Sequence, residues 1–342
     1  KRALKDLGNP CKSTPAIHIA GTNGKGSIAS FLESVIKSSG IKVGVTTSPH
    51  LTNWNERIKI AGKEIPSQEF IRILEEILPI TKKYQLTAFE IVIATALKYF
   101  ALNNVQIIVL EVGLGGRLDA TTAHPYRPLI AMGGIGLDHC EYLGNSLKKI
   151  TKEKGAIITT GSEVISSEQN PEVKNILEKI AKKQKAKITW VEPLGREWKL
   201  GIKGEIQREN AAVAMKILKS LSKFGFTITT KNIQEGFEAA TWPGRLEKKF
   251  WNGLPVLLDG AHNEHAAIQL ANERKDWAGE GNAINWIFAI QENKDAPSMI
   301  KYLIKPKDIA WILKVPDHKS WSRKKLAASC PELSKQIFKA ND

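Results

Sequence analysis

Cysteine is scarce in this chain: Cys11, Cys140 and Cys330 are the only three in 342 residues, and they lie far apart. That excludes a disulfide-stapled scaffold and suits a reducing, cytoplasmic setting. Long apolar runs are missing too. No stretch approaches the roughly 20 uninterrupted apolar residues that a membrane helix needs, and residues 1–12 lack the apolar core of a secretory leader. No membrane association is expected. An initiator methionine is also absent, which raises the expectation that the chain begins partway into its gene product. There is no internal repeat and no low-complexity tract. Acidic residues are in deficit, 35 against 50 basic ones, for a formal charge of +15. Such an excess invites a nucleic-acid reading, but many of the lysines fall in helix-like stretches such as 172–187. There Val173, Ile176, Leu177 and Ile180 make the apolar stripe and the lysines a solvated face. The basic residues are not interleaved with aromatics as stacking platforms require. Nucleic acid is therefore not expected as a partner, whereas anionic small substrates are favoured by long-range attraction.

A hydrophobic share of 42% and a charged share of 25% are those of a globular protein, and the length suits two domains. Apolar runs at 41–46, 107–112, 129–135, 256–258, 286–290 and 310–315 alternate with helical patterns, one of them at 210–221. This alternation predicts an α/β fold with parallel, doubly wound sheets. Residues 236–253 read as the joint, so the expected domains are 1–240 and 241–342. The second offers three clear strands, which is short for a complete doubly wound domain, and it is expected to be truncated.

Residues 20–27 read Ala-Gly-Thr-Asn-Gly-Lys-Gly-Ser, directly after the apolar Ala16-Ile17-His18-Ile19. Beyond Ser27, the residues Ile28, Phe31, Leu32, Val35 and Ile36 fall on one face of a helix. A strand, a glycine-rich turn and a helix in this order make a grip for phosphates. Gly21, Gly24 and Gly26 allow positive φ and bring bare amides close to an anion. Lys25 adds a point charge, and the Ser27 hydroxyl is placed for a magnesium ion. Thr22 and Asn23 complete the loop. A glycine between lysine and serine departs from the commonest form, and the plain alternative is a glycine-rich turn with a solvated lysine. The order of elements favours ATP or a relative of it.

Two further strand ends carry acidic groups. The run 107–110 leads into Glu111 and then Gly113-Leu114-Gly115-Gly116-Arg117-Leu118-Asp119, and the run 129–135 leads to Asp138-His139. Carboxylates just beyond parallel strands lie at the carboxyl edge, where such sheets bind ligands. With Ser27 they are expected to converge on one Mg·ATP, although His139 taken alone reads more readily as a structural histidine and only its place beside Asp138 at a strand end makes the two readings even. Asp259, after 256–258, stands where a ribose contact is common. Arg57 reads as a surface salt-bridge former.

Taken in order, the motifs resemble the folylpolyglutamate synthase / dihydrofolate synthase family, within the Mur-ligase-like ATP-dependent amide ligases. The resemblance spans nearly the whole chain. It rests on His18 to Ser27, Ser-Pro-His-Leu at 48–51, Thr-Ala-Phe-Glu at 87–90 and the run from Glu111 to Thr121. Gly-Leu-Asp-His at 136–139, Glu153-Lys154, Asn-Ala-Ala at 210–212, Trp-Pro-Gly-Arg at 242–245 and Asp-Gly-Ala-His-Asn at 259–263 continue it. It implies an N-terminal P-loop-type ATPase domain with a mostly parallel sheet and a smaller, Rossmann-like C-terminal α/β domain. The implied activity is ATP-dependent addition of L-glutamate to dihydropteroate or to (poly)glutamyl folates through an acyl phosphate. Lys25, Glu111, His139 and Lys154 would be catalytic. Ser27 and Glu111 would hold one magnesium, and Glu111, His139 and a carbamylated Lys154 a second. Asn210, Arg245 and Asp259 would contact ATP, with His262 steering Asp259 or the phosphates. Ser48, Thr87, Phe89 and Asp119 would serve the substrate, Phe89 by ring contact and Asp119 by bonding the pterin. The resemblance also allows a monovalent cation and suggests a monomer. Departures are Ile206 before Gln207, where histidine is usual, and Glu264 after Asn263, where proline is common.

Three other readings compete. One is a ligase that adds an amino acid to a UDP-muramoyl precursor; another is a truncated, non-catalytic nucleotide-binding protein; the third is a nucleic-acid binder. Which of dihydropteroate and the folates is used stays open at this level.

Overall fold

The structure is a computed structural model that describes residues 1–279 and 281–340. The described chain forms two compact units. The first comprises Lys1–Lys203 and Gln207–Trp242; the second comprises Gly204–Ile206 and the described residues from Pro243 on.

The first unit is built on one sheet. Its strands are β1 (Ala16–Ala20), β2 (Val43–Thr46), β3 (Ile58–Ile60), β4 (Lys63–Glu64), β5 (Ile107–Glu111), β6 (Leu129–Met132), β7 (Glu163–Ser167) and β8 (Lys187–Val191). They lie in the order β4-β3-β2-β5-β1-β6-β7-β8. The central strands pair in parallel, while β3 and β4 form an antiparallel edge on β2. β1 and β5 are buried at every residue, as strands covered on both faces must be. The helix Lys25–Ser38 covers one face with Ile28, Phe31, Leu32, Val35 and Ile36, all fully buried. Each of those side chains contributes about 1.5–3 kcal/mol of apolar burial. The stripe expected at 172–187 is the helix Pro171–Lys183, capped by Asn170 and buried through Val173, Leu177 and Ala181.

β6 stops earlier than its apolar run. Residues 133–135 were expected to continue the strand, but Gly133 and Gly134 turn to meet the loop after β1. A side chain on Gly133 would place its Cβ 2.3 Å from the Asn23 carbonyl oxygen, so only glycine permits this approach.

The second unit differs from the expected series of three parallel strands. β9 (Glu247–Trp251) and β10 (Leu254–Leu258) form an antiparallel ribbon, with the turn Asn252-Gly253 between them, both at positive φ. β11 (Asn285–Phe288), β12 (Ile309–Ile312) and β13 (Ile337–Lys339) form a separate parallel sheet. One face of that sheet packs Phe288, Ala310, Ile312 and Ile337 against Ala267, Leu270, Met299, Ile300 and Leu303. On the other face, Ile287, Trp311 and Phe338 stand in register as an exposed apolar row.

Asp308 pins this unit. Its carboxylate takes both terminal nitrogens of Arg274 at 2.6 Å, the amides of Ile284 and Lys305, and the Trp286 indole N–H. Burial would raise its pKa, yet these donors bring it down from 3.8 to about 2. A depressed carboxylate stabilises the fold fully above pH 3.8 and loses that contribution as pH falls towards about 2. Asp308→Asn leaves Arg274 uncompensated and should cost roughly 3 kcal/mol in thermal or urea unfolding of this unit. It should also flatten the acid limb of the stability curve. An unchanged melting temperature would refute the pin.

Candidate active site

Three neighbouring strand ends define the site. Register places Ile19 of β1 opposite Glu111 of β5, and Ala20 of β1 opposite Met132 of β6. The loops beyond them are tied together. The Thr22 and Asn23 amides both donate to the Gly134 carbonyl, at 2.8 and 3.0 Å. The Thr22 hydroxyl donates to the Gly136 carbonyl at 2.9 Å and accepts from the Gly136 amide at 3.1 Å.

The helix Lys25–Ser38 starts from Gly24 in the left-handed region (φ 84°) with no side-chain cap. A first turn that no side chain caps is the arrangement that suits an anion. By contrast, Thr87, Ser146 and Asn170 each cap their helices with a side-chain oxygen. Asn210, buried, lies directly over Gly24, and a Cβ there would sit 2.2 Å from its Oδ1. The amide nitrogen of Asn210 donates to Gln207 at 3.0 Å, a partner carried by the same helix. Gly26 is likewise roofed by the Trp242 ring. Ser27 is buried in the first turn.

Two lysines meet on one oxygen. Lys25 Nζ donates to the carbonyls of Gly21 and Thr22 at 3.1 and 3.2 Å, and Lys154 Nζ donates to the same Gly21 carbonyl at 2.9 Å. Lys154 is only 5% exposed. Burial first, and the Lys25 charge second, push its pKa down to about 7, with Asp138 and Asp119 acting against the fall. A substantial fraction of this amine is therefore neutral at physiological pH, and a neutral amine is a nucleophile.

Glu111 is buried, and its Oε2 accepts the Ser48 amide at 3.0 Å, which joins the ends of β5 and β2. His139 sits in the left-handed region (φ 50°), its amide bonded to the Asp138 carboxylate at 2.8 Å. Among the described residues no three His, Cys, Asp or Glu side chains gather as a metal cage. The donors at this edge are instead mixed: a hydroxyl, a carboxylate, an imidazole and a lysine.

The expected substrate residues are engaged locally. The Thr87 hydroxyl caps the helix Ala88–Leu102 and bonds to Glu90. The Phe89 ring lies against Gly113, where a Cβ would meet it at 2.7 Å. Asp119 Oδ2 accepts the amides of Gly113 and Leu114 at 2.9 and 3.0 Å, while Oδ1 accepts the Thr121 amide at 3.0 Å and its hydroxyl at 2.5 Å. A carboxylate offers about four acceptor sites, and the chain itself fills that number here.

Behind Asp119 runs a buried chain that the sequence reading did not single out. Arg127 donates to His18 Nδ1 at 2.9 Å, and His18 Nε2 lies 2.7 Å from the Thr121 hydroxyl. Because that hydroxyl donates to Asp119, it accepts from His18, so the ring proton sits on Nε2. Burial, with Arg127 and His124 beside it, holds this imidazole well below its usual 6.5 and keeps it neutral. The only signal in the sequence was a histidine inside an otherwise apolar strand.

In the second unit, Asp259 accepts the amides of Leu246 and Ala261 at 3.0 and 2.8 Å, closing the turn that carries Arg245. His262 Nδ1 donates to the Gly260 carbonyl at 2.8 Å.

Two family models match the chain. Residues 19–231 match the Mur ligase middle domain, and residues 245–319 match the dihydrofolate synthetase C-terminal domain. Among curated proteins, the dihydrofolate synthetase of Saccharomyces cerevisiae is 34% identical over 335 residues, covering 90% of this chain and 78% of the yeast protein. The dihydrofolate synthase/folylpolyglutamate synthase of Bacillus subtilis is 32% identical over 335 residues, covering 89% and 77%. Among solved structures, the Mycobacterium tuberculosis folylpolyglutamate synthase complexed with ADP and AMPPCP superposes with a TM-score of 0.90. It is 28% identical, with 99% of this chain and 84% of that one covered.

Proposed function

The chain belongs to the folylpolyglutamate synthase and dihydrofolate synthase family, and from that premise we propose how its own residues carry out the reaction. It is an ATP-dependent acid–amino-acid ligase that joins L-glutamate to dihydropteroate or a folate. The substrate carboxylate attacks the γ-phosphorus of ATP, and ADP leaves. The glutamate amine then attacks the acyl carbon of the resulting acyl phosphate, and phosphate departs.

Phosphoryl transfer asks a protein mainly for position and for neutralisation of charge. The uncapped amides after Gly24 receive phosphate oxygens, and Lys25 swings from its own loop carbonyls to the same oxygens. The site's donors fit magnesium, since the Ser27 hydroxyl and the Glu111 carboxylate are hard oxygen ligands and no all-protein cage is needed. On this reading Ser27 and Glu111 hold one ion, while Glu111, His139 and a carbamate on Lys154 hold a second. Bound there, the ions would neutralise the oxygens of the transferring group. Phe89 and Gly113 form the surface on which a pterin ring would lie. Asp119 serves that surface through the Gly113 and Leu114 amides it holds, its own acceptor sites being filled.

The observation that supports this reading most is the pair Lys25 and Lys154 on one carbonyl, which gives a buried amine a pKa of about 7 beside the phosphate loop. The C-terminal match to a dihydrofolate synthetase domain favours pteroates over UDP-muramoyl acceptors. A phosphate-release assay across dihydropteroate, dihydrofolate, tetrahydrofolate and a UDP-muramoyl precursor, each with and without glutamate, tests it. Release should require glutamate together with a pteroate or folate. ATP binding with no glutamate-dependent turnover on any acceptor would overturn the reading.

A further inference from the structure

The segment that joins β2 to β3 carries a guanidinium whose binding capacity is largely unused. Arg57 Nε donates to His50 Nδ1 at 2.8 Å, and the guanidinium carbon stands 4.6 Å from the centre of the Trp54 ring. The His50 and Trp54 rings themselves are 4.8 Å apart. Among the described residues the two terminal nitrogens of Arg57 have no hydrogen-bond or ion-pair partner. Arg274 shows what a structural arginine looks like in the same chain: its terminal nitrogens are taken by both Asp308 oxygens and two carbonyls.

The local chain is built to hold Arg57 in place. The Glu56 carboxylate accepts the amides of Leu51, Thr52 and Asn53 at 2.8, 2.7 and 2.7 Å, which folds the loop on itself. The Thr47 amide bonds to the Arg57 carbonyl, and the next residue, Ser48, donates its amide to Glu111. Arg57 is half-buried and within electrostatic reach of Glu111. A cation positioned this way, stacked on one ring and steered by a second, loses little freedom when it takes an anion.

We propose that Arg57 is a substrate-binding residue whose two terminal nitrogens grip the reacting carboxylate of the pteroate or folate, with Trp54 and His50 as its positioning residues. This rests on the ligase reading above. A carboxylate is favoured over the ATP phosphates by place in the sheet. The phosphate loop follows β1, with its own lysine and amides, whereas Arg57 enters from β2, and β5 with Glu111 lies between them. An acceptor carboxylate that approaches the phosphate loop across the end of β5 from β2 would meet the open fork. Two parallel N–H···O bonds suit a carboxylate, and lysine cannot reproduce them.

The test uses the full chain and compares KM for dihydropteroate, tetrahydrofolate, ATP and glutamate in Arg57→Ala, Arg57→Lys, Trp54→Phe and Trp54→Leu. Arg57→Ala and Arg57→Lys should raise the acceptor KM roughly 10- to 100-fold and leave the ATP KM within about twofold. Trp54→Leu should follow them in part and Trp54→Phe should not. Binding of the carboxamide analogue of pteroate separates charge recognition from a fold defect. The wild type should prefer the acid, and Arg57→Ala should bind acid and amide alike. If Arg57→Ala does not fold, the same preference ratio is read in Arg57→Gln. An unchanged acceptor KM, an equal loss for acid and amide, or a rise in ATP KM instead would overturn the proposal. A wild type inactive on every pteroate and folate overturns the ligase reading along with it, whereas an active wild type matched by Arg57→Ala overturns this inference alone.

Discussion

Lys154→Ala should lose glutamate-dependent ADP release by about 1,000-fold or more, and short carboxylic acids such as acetate should restore part of it. On the proposed reading, the size of the loss follows from removing an anionic metal ligand at the point where charge develops. The rescue follows from the chemistry of the amine. Its lone pair adds to CO2, a proton is released to solvent, and the carbamate presents two oxygens where an ammonium stood. Only the neutral amine can do this. With its pKa lowered to about 7, the neutral fraction grows as pH rises through that value, whereas an ordinary lysine near 10.5 would stay charged. Activity at limiting bicarbonate should therefore climb between about pH 6 and 8 and respond to added bicarbonate most at the acid end. Lys154→Arg should be inactive throughout, because a guanidinium stays protonated. An alanine variant that no carboxylic acid rescues, together with bicarbonate-independent wild-type activity, would remove the carbamate from the mechanism.

Lys154 also shows which parts of the site the sequence made legible. It was expected to be catalytic through the family resemblance, but composition alone does not set it apart from Lys148, Lys149 and Lys152, which are exposed. The distinction lies in helical period. In the helix Leu147–Gly155, Ile150, Thr151 and Lys154 share the buried face, and Lys154 is one turn beyond Ile150. The phosphate loop was legible for the same kind of reason, since glycine placement and a 3.6-residue stripe are local signals. So were the buried central strands, whose apolar runs need no partner to be noticed.

What escaped the sequence reading was contact between distant residues. β7 and β8 carry serines, threonine and lysine, and β3 is three residues long; their strand character comes from the neighbour each pairs with. The His18–Thr121 bond spans 103 residues, and no spacing rule reaches that far. Thr87 and Asp119 were expected at the substrate only through the family resemblance. In the structure the Thr87 hydroxyl caps its helix and bonds to Glu90, and the Asp119 carboxylate holds its own loop. In the second unit, the ribbon β9–β10 was missed because the apolar run 256–258 reads as one strand of a parallel series, although β10 is largely exposed and pairs with β9.

Glu111→Ala should be the most damaging single change, since this carboxylate is proposed to serve both ions. The last residue of β5 is held by its neighbours on either side: β1 pairs with it through Ile19, and the Ser48 amide bonds its Oε2. Alanine removes the charge and leaves the Ser48 amide without its acceptor, so ADP release should fall by at least about 1,000-fold. Glu111→Gln keeps an oxygen for that amide and loses only the charge. It separates the two roles: its fold should melt near the wild-type temperature, while its activity should require much higher magnesium and still fall short. Lys25→Ala should be similarly inactive but with an unshifted magnesium requirement, because the lysine is proposed to contribute charge to phosphate oxygens rather than to hold the ions. Near-normal turnover in Glu111→Ala would place the chemistry elsewhere in the molecule. An unshifted magnesium requirement in Glu111→Gln would deny the carboxylate its part in holding metal, because loss of an anionic oxygen ligand must weaken the hold on a divalent cation.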